Sequence, residues 1–363
     1  MISAQNLTVG YRGKIVVSGV ELDVKRGRIV TLIGPNGGGK STILKTIARQ
    51  LEPLGGGVYL DGKDISTFNI NTLARNLAFL TTRRPKTELL TCFDIVSMGR
   101  YPYTGMLGIL SDSDKSEVRR ALELVGATDL AARDFLELSD GQRQLVMLAR
   151  AICQRPKVLL LDEPTSFLDL RRKLELIDIL KRLVNDEKPA ILMSLHELDL
   201  AQKISDTVVC VRDGRIDKIG TPEEVFTDGY METLFGVTVG SYDSVFGSPI
   251  PQRAAGEPRV FVIGGGGEGI NTYRRLYRQG VPFAAGVIFD SDVEIPIVRP
   301  LAAEVITTPA FEPIGDDAIN RAGEVLKSCE KVIVSCRFGT FNSRNRQLIK
   351  AAAELGIEVE HGV

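Results

Sequence analysis

Residues 34–42 read GPNGGGKST and fit the phosphate-loop pattern GxxxxGK[S/T], with Gly34, Gly39, Lys40 and Ser41 at the required places. Glycines at such spacing let backbone N–H groups turn inward around phosphate oxygens, so Pro35, Asn36, Gly37, Gly38 and Thr42 count as cradle residues too. Lys40 carries the charge that reaches the β- and γ-phosphates, and the Ser41 hydroxyl is a hard oxygen suited to Mg²⁺. A second reactive group closes the apolar run 158–161, where Asp162 and Glu163 stand side by side. Beside a phosphate loop, the first such acid holds Mg²⁺, usually through water, and the second polarises a water next to the γ-phosphate. Together these residues imply binding and hydrolysis of a nucleoside triphosphate with Mg²⁺.

Such side chains must be delivered by a strand and received by a helix. The β-rich run 29–33 precedes the loop and a helical pattern, 43–48, follows it. The receiving helix adds the positive end of its dipole to the phosphate site. Residues 2–33 alternate and are rich in β-branched side chains, so they predict antiparallel strands around the turn 11–14. The triple glycine 55–57 and Asp61-Gly62 bracket a short strand, which predicts a hairpin. Residues 92–150 lose strand character and show helical periodicity, as in Val118, Ala121, Leu122 and Val125. Beyond them, short apolar runs at 158–161, 190–194 and 207–211 alternate with helical patterns, which predicts buried parallel strands of an α/β fold.

Two further groups had open readings on residue chemistry alone. Leu138-Ser139-Asp140-Gly141-Gln142 opens a helix, and Ser139 serves equally as a plain helix cap or as part of an anion site. His196, in the sequence SLHELDLA, is a solitary histidine after a strand.

In order along the chain, these motifs resemble those of the ATP-binding subunits of ABC transporters, over roughly residues 1–240. LSDGQ resembles that family's signature, usually LSGGQ; 166–169 resembles its D-loop, with Asp169 as the acid; His196 matches its switch histidine. The resemblance implies that Tyr11 stacks on adenine and that two subunits face each other head to tail. Each ATP then lies between one phosphate loop and the partner's signature, so Ser139, Gly141 and Gln142 act on the other copy's nucleotide. It further implies a separate integral membrane permease, an indirect link to a periplasmic or extracellular binding protein, and a place on the cytoplasmic face of the membrane. The sequence GRYPYTG, residues 99–105, is similar to an element of importers for iron–siderophore complexes, haem and cobalamin. The family's glutamine at the end of the strand at 77–82 is replaced here by Thr82, which is shorter but still offers an oxygen.

After a Gly-, Pro- and Ser-rich stretch, 241–257, expected as a linker, a fresh β–α series begins and predicts a small Rossmann-like accessory domain over 258–363. Gly264, Gly266 and Gly269 satisfy GxGxxG between a strand and a helix, and Asp290 follows at the distance of a ribose-binding acid. This is either a ligand-binding loop or a tight packing turn, and a regulatory sensor is the expected role of the domain. Asn342, Ser343, Arg344 and Asn345 follow a strand and complete an anion pocket or form a solvated loop.

The remaining composition sets limits. A net charge of −1 gives no global basic field for nucleic acid. No apolar run approaches the ~18 residues of a membrane span. Five scattered cysteines without a CxxC pair predict reduced thiols in a cytoplasmic protein, and two histidines rule out a histidine-rich metal site.

Overall fold

The computed structural model describes residues 1–81, 89–105, 108–227, 229–243 and 247–362. It divides into two units, Met1–Phe235 and Gly236–Val363. The first begins with the hairpin β1 (Ile2–Tyr11) and β2 (Lys14–Val24), then β3 (Arg28–Ile33), the phosphate loop and α1 (Lys40–Ile47). Next come β4 (Gly55–Leu60), β5 (Lys63–Asp64), α2 (Ile70–Asn76) and β6 (Leu77–Leu80). The helical insert supplies α3 (Cys92–Ser97), α4 (Asp112–Leu124) and α5 (Asp140–Cys153). The chain returns through β7 (Val158–Asp162), α6 (Leu170–Asp186), β8 (Ala190–Ser194) and α7 (Leu198–Ile204). A hairpin, β9 (Thr207–Arg212) and β10 (Arg215–Gly220), leads to α8 (Pro222–Val225) and α9 (Tyr230–Phe235).

Two sheets result. One is antiparallel, in the order β2-β1-β4-β5, and the other runs β10-β9-β3-β8-β7-β6, parallel except for β10. The strands of the second sheet read as apolar runs because both faces are covered; every residue of β7 and β8 is buried. Between the sheets lies α1, whose Ile43, Leu44 and Ile47 are buried among Val9, Val17, Leu160 and Leu192. Burying each such side chain stabilises by roughly 1.5–3 kcal/mol, so the helix that carries Lys40 and Ser41 is anchored by its apolar face. β10 was not anticipated by the sequence reading.

The GRYPYTG element is built into the insert. Arg100 is buried, donating from Nε to Asp114 Oδ1 at 2.9 Å and from a guanidinium nitrogen to Cys153 O at 2.9 Å. Its guanidinium sits 3.9 Å from the Tyr103 ring centroid, and Tyr103 Oη donates to Gln154 O at 2.9 Å. Gln154 Nε2 in turn donates to Leu77 O at 2.6 Å and to Ala74 O.

The second unit opens with an antiparallel hairpin, β11 (Ser241–Asp243) and β12 (Ser248–Ile250). The hairpin lies within the stretch expected as a linker, 241–257, with Tyr242 and Asp243 buried, and the second unit begins at Gly236. There follow β13 (Val260–Ile263), α10 (Ile270–Arg278), β14 (Phe283–Phe289), α11 (Ile295–Leu301), β15 (Glu304–Thr308), α12 (Asp316–Leu326), β16 (Lys331–Val334), α13 (Arg346–Glu354) and β17 (Glu358–His361). The five strands are all parallel, in the order β15-β14-β13-β16-β17, the doubly wound order of a Rossmann-like sheet.

Candidate functional site

The phosphate loop leaves β3, which lies between β8 and β9, so the ends of three parallel strands surround it. Its last turn is made by Gly39, with φ 102°. A Cβ there would stand 2.3 Å from Val17 Cγ2, so no other residue fits between this turn and the hairpin. No side chain caps α1 and no acid sits in its first turn, which leaves its N–H groups and dipole directed at a phosphate. Lys40 is buried and donates from Nζ to Gly34 O at 2.8 Å and Pro35 O at 3.0 Å. Burial pushes its pKa down, and the negative charges of Glu163 and Asp162 oppose that fall. Phosphate oxygens at this ammonium would act in the same direction as the two carboxylates.

Adjacent strands bring the carboxylates to the loop. Asp162 ends β7 and pairs in register with Ser194, which ends β8. Ser41 Oγ donates to Asp162 Oδ1 at 2.8 Å, and Ser194 Oγ donates to the same oxygen at 2.9 Å. Ser194 Oγ also accepts from the Glu163 N–H at 2.9 Å, which fixes the backbone of the next acid. Glu163 has φ 49°, a left-handed conformation that turns its carboxylate out of the strand direction. Its Oε1 lies 2.6 Å from His196 Nε2, and its Oε2 accepts from Ser166 Oγ at 3.1 Å. The donor set suits Mg²⁺: one hydroxyl and one carboxylate, both oxygen, at hydrogen-bond distance from each other. No group of three or more His, Cys, Asp or Glu able to hold a metal occurs among the described residues.

The structure thus gathers Gly34, Gly39, Lys40, Ser41, Asp162, Glu163 and His196. Tyr11, 44% exposed, stands beside them, its hydroxyl 3.5 Å from Thr42 Oγ1. It does not join Ser139, Gly141, Gln142 and Asp169 to the loop by any hydrogen bond among the described residues. Ser139 and Gln142 form a reciprocal capping box on α5, with Ser139 Oγ accepting from the Gln142 N–H at 3.3 Å and Gln142 Oε1 accepting from the Ser139 N–H at 3.0 Å. Asp169 caps α6 by accepting from the Arg172 N–H at 2.8 Å. Thr82 lies outside the described residues. Ser194 was missed by the sequence reading, where the available signal was a hydroxyl closing the apolar run of β8; Ser166 had been placed in the D-loop-like segment without its bond to Glu163.

The glycine loop of the second unit is occupied by side chains of the same unit. Gly266 N–H donates to Asp292 Oδ2 at 2.8 Å and Gly269 N–H to Glu294 Oε1 at 2.6 Å. Glu294 is 0% exposed, and its Oε2 accepts from Tyr273 Oη at 2.6 Å. A Cβ on Gly264 would lie 1.8 Å from that Tyr273 oxygen, so this glycine serves close packing of strand against helix. The unit's own carboxylates thus hold two amides of the loop that contains Gly264, Gly266 and Gly269, an arrangement that favours the packing-turn reading over the ligand-binding one. Asp290 itself is exposed, its N–H bonded to Thr308 O at 2.9 Å. In the second candidate loop, Arg344 donates to Ile314 O at 2.7 Å and to Asp316, while buried Asn345 donates to Val287 O at 3.0 Å; both hold the domain's own backbone.

Residues 17–166 match the ABC transporter family, and residues 283–360 match the MJ0874 family. An uncharacterised ABC transporter ATP-binding protein of Methanocaldococcus jannaschii is 40% identical over 292 residues, 79% of this chain and 99% of that relative. The iron(3+)-hydroxamate import ATP-binding protein of Bacillus subtilis is 38% identical over 65% of this chain and 88% of its own length. The cobalamin import ATP-binding protein of Halobacterium salinarum is 32% identical over 87% of this chain and 80% of its own length. Among solved structures, the dimeric structure of MJ0796, a bacterial ABC transporter cassette, superposes with a TM-score of 0.55 at 25% identity, over 61% of this chain and 99% of that one. A match that runs nearly the whole length of such a relative, on a site already built for phosphate chemistry, decides the matter: the chain belongs to the ATP-binding proteins of ABC transporters and hydrolyses ATP.

Proposed function

We propose that this ATPase powers import of an iron–siderophore, haem or cobalamin-type complex through a separate membrane permease, from the cytoplasmic face of the membrane. The observation that carries the cargo class is the likeness to hydroxamate and cobalamin import ATP-binding proteins, one of them matched across 322 residues. No helix among the described residues is long and apolar enough to cross a membrane, so the path for cargo belongs to another chain.

In the proposed mechanism the phosphate loop and the start of α1 bind the phosphates, and Lys40 neutralises their β and γ oxygens. Ser41 and Asp162 would hold Mg²⁺, which would supply charge neutralisation to the phosphates. Glu163 orients a water and takes its proton, while His196 fixes the Glu163 carboxylate. A second copy, facing the first head to tail, places its Ser139 and Gly141 at the start of α5 against the γ-phosphate. The capping box leaves Ser139 exposed at that helix start, as an approach from outside requires. Closure on ATP and reopening after hydrolysis would move the helical insert and hence the permease.

The test is reconstitution with the co-purifying permease in lipid, measuring phosphate release with an iron–hydroxamate, haem or cobalamin, each delivered on its binding protein. Stimulation by one of these supports the reading. Isolation of the chain without any permease, together with stimulation by ribosomes or DNA, would replace it with a non-transport ATPase. Stimulation only by another metal or an oxyanion would keep the transporter and change the cargo.

A further inference from the structure

The residue after the switch histidine is a carboxylate with two partners on a different element. Glu197 Oε2 accepts from Thr165 Oγ1 at 2.6 Å, and its Oε1 lies 2.7 Å from Lys173 Nζ. Thr165 stands just before the D-loop-like segment and Lys173 lies in the first turn of α6, just after it. One side chain therefore holds both ends of the segment that contains Ser166, exposed Phe167 and the helix-capping Asp169. The same segment reaches the reacting acid directly, since Ser166 Oγ donates to Glu163 Oε2 at 3.1 Å.

These contacts close a ring. Glu163 is bonded to His196; His196 is covalently joined to Glu197; Glu197 is bonded to Thr165; Thr165 is joined to Ser166; and Ser166 returns to Glu163. Every link across the ring is a side-chain contact of 3.1 Å or less. Glu197 and Lys173 are each only about a quarter exposed, at 27% and 25%. Burial pushes the Glu197 pKa up, but the Lys173 and Thr165 bonds outweigh it and hold the group below the ordinary carboxylate range. A charge-assisted bond of this kind is roughly twice as strong as a neutral one and more directional. The bonds of the Glu197 carboxylate run to Thr165 and Lys173, on the segment beside the loop that aims the Glu163 carboxylate.

We propose that Glu197 is a positioning residue for hydrolysis, clamping the 165–173 segment to the switch loop so that His196 and Ser166 hold the Glu163 carboxylate in one orientation. The inference deepens the role of Glu163 given above and rests on it. Misplacement of a reacting group by about 1 Å costs on the order of 100-fold in rate, whereas ATP binding is carried by the phosphate loop.

The test uses the full chain with Mg-ATP. For Glu197→Gln, which keeps the shape and removes the charge, kcat is expected to fall about 10- to 100-fold while KM for ATP stays within about twofold. Thr165→Ser, which keeps the hydroxyl, retains the parent rate; Thr165→Val behaves like Glu197→Gln. The double variant Glu197→Ala/Thr165→Val is no slower than Glu197→Ala alone, because removing the carboxylate already removes the Thr165 bond. A kcat for Glu197→Gln within twofold of the parent would overturn the proposal. So would equal loss of rate and ATP affinity together with a lowered Tm, which marks local unfolding instead of aiming. Glu163→Gln, measured alongside, separates the two levels. If it is inactive while Glu197→Gln is unimpaired, only the positioning role fails. If it retains the parent rate, the role of Glu163 fails and the positioning role with it.

Discussion

Glu163→Gln is the substitution whose outcome the geometry constrains most tightly. Glutamine keeps the length and one acceptor oxygen, so the 2.6 Å contact to His196 Nε2 can persist, and the left-handed backbone at φ 49° costs the two residues alike. What disappears is a basic oxygen able to take a proton from water. General-base catalysis contributes about 10²–10⁴-fold, so a thousandfold loss is expected, equivalent to about 4 kcal/mol in the barrier. Lys40, Ser41 and the start of α1 are untouched, so ATP affinity should stay within about twofold. Folding stability should change by no more than about 0.5 kcal/mol, since no buried contact is lost outright. The assay is single-turnover phosphate release from the purified full chain, paired with retention of labelled ATP. The expected variant holds ATP, Mg²⁺ and a second copy without turning over. Phosphate release within threefold of the parent would remove Glu163 from the base role and leave water activation to another group.

Gly39→Ala should destabilise the first unit by roughly 2–4 kcal/mol, from the strain of φ 102° and the 2.3 Å approach to Val17, read as the shift in a urea denaturation midpoint. Arg100→Met leaves Asp114 buried without its cation, and breaking such a pair costs roughly 3–5 kcal/mol; the same denaturation measures it. Burial holds the Glu294 pKa above the usual carboxylate range, despite bonds from Tyr273 and Gly269 that lower it. The neutral form is therefore favoured by folding: the contribution is complete below the unfolded-state pKa and is lost as pH rises through the raised folded value. Melting of the parent should decline over that window relative to Glu294→Gln, which cannot titrate. Because the glycine loop is filled by Asp292 and Glu294, NAD or FAD at about 1 mM should leave the melting temperature of the full chain unchanged.

The chemistry at the first site was legible because its signals are local. The order Gly34 to Thr42 contains its own turn, its lysine and its hydroxyl within one strand–loop–helix passage. Asp162 and Glu163 were equally plain, since a fully apolar strand that ends in two acids has few other uses. Ser194 and Glu197 were not legible, because their meaning depends on β8 lying beside β7 in register, and sheet order is a tertiary fact. The glycines of the second unit left two readings open for a related reason. GxGxxG specifies how sharply the backbone turns, but what fills the turn is decided by Asp292 and Glu294, which arrive from the loop after β14. β17 escaped notice because Glu358–His361 is a short, mostly charged edge strand without alternating apolar residues. The hairpin in 241–257 was hidden by its proline and serine content, which suits an isolated two-stranded ribbon as well as a loop.

The chain of contacts from Arg100 through Tyr103 and Gln154 to Leu77 has a mechanical meaning. It runs from the insert, across the end of α5, to the backbone of the outermost strand of the nucleotide-bearing sheet. A guanidinium held over a tyrosine ring and a buried charge-assisted bond resist both compression and shear, so this path acts as a strut between insert and sheet edge. A push received by the insert is delivered to β6 as displacement instead of being absorbed by side-chain rotation. The strand so driven ends at Leu80, and Thr81 follows it.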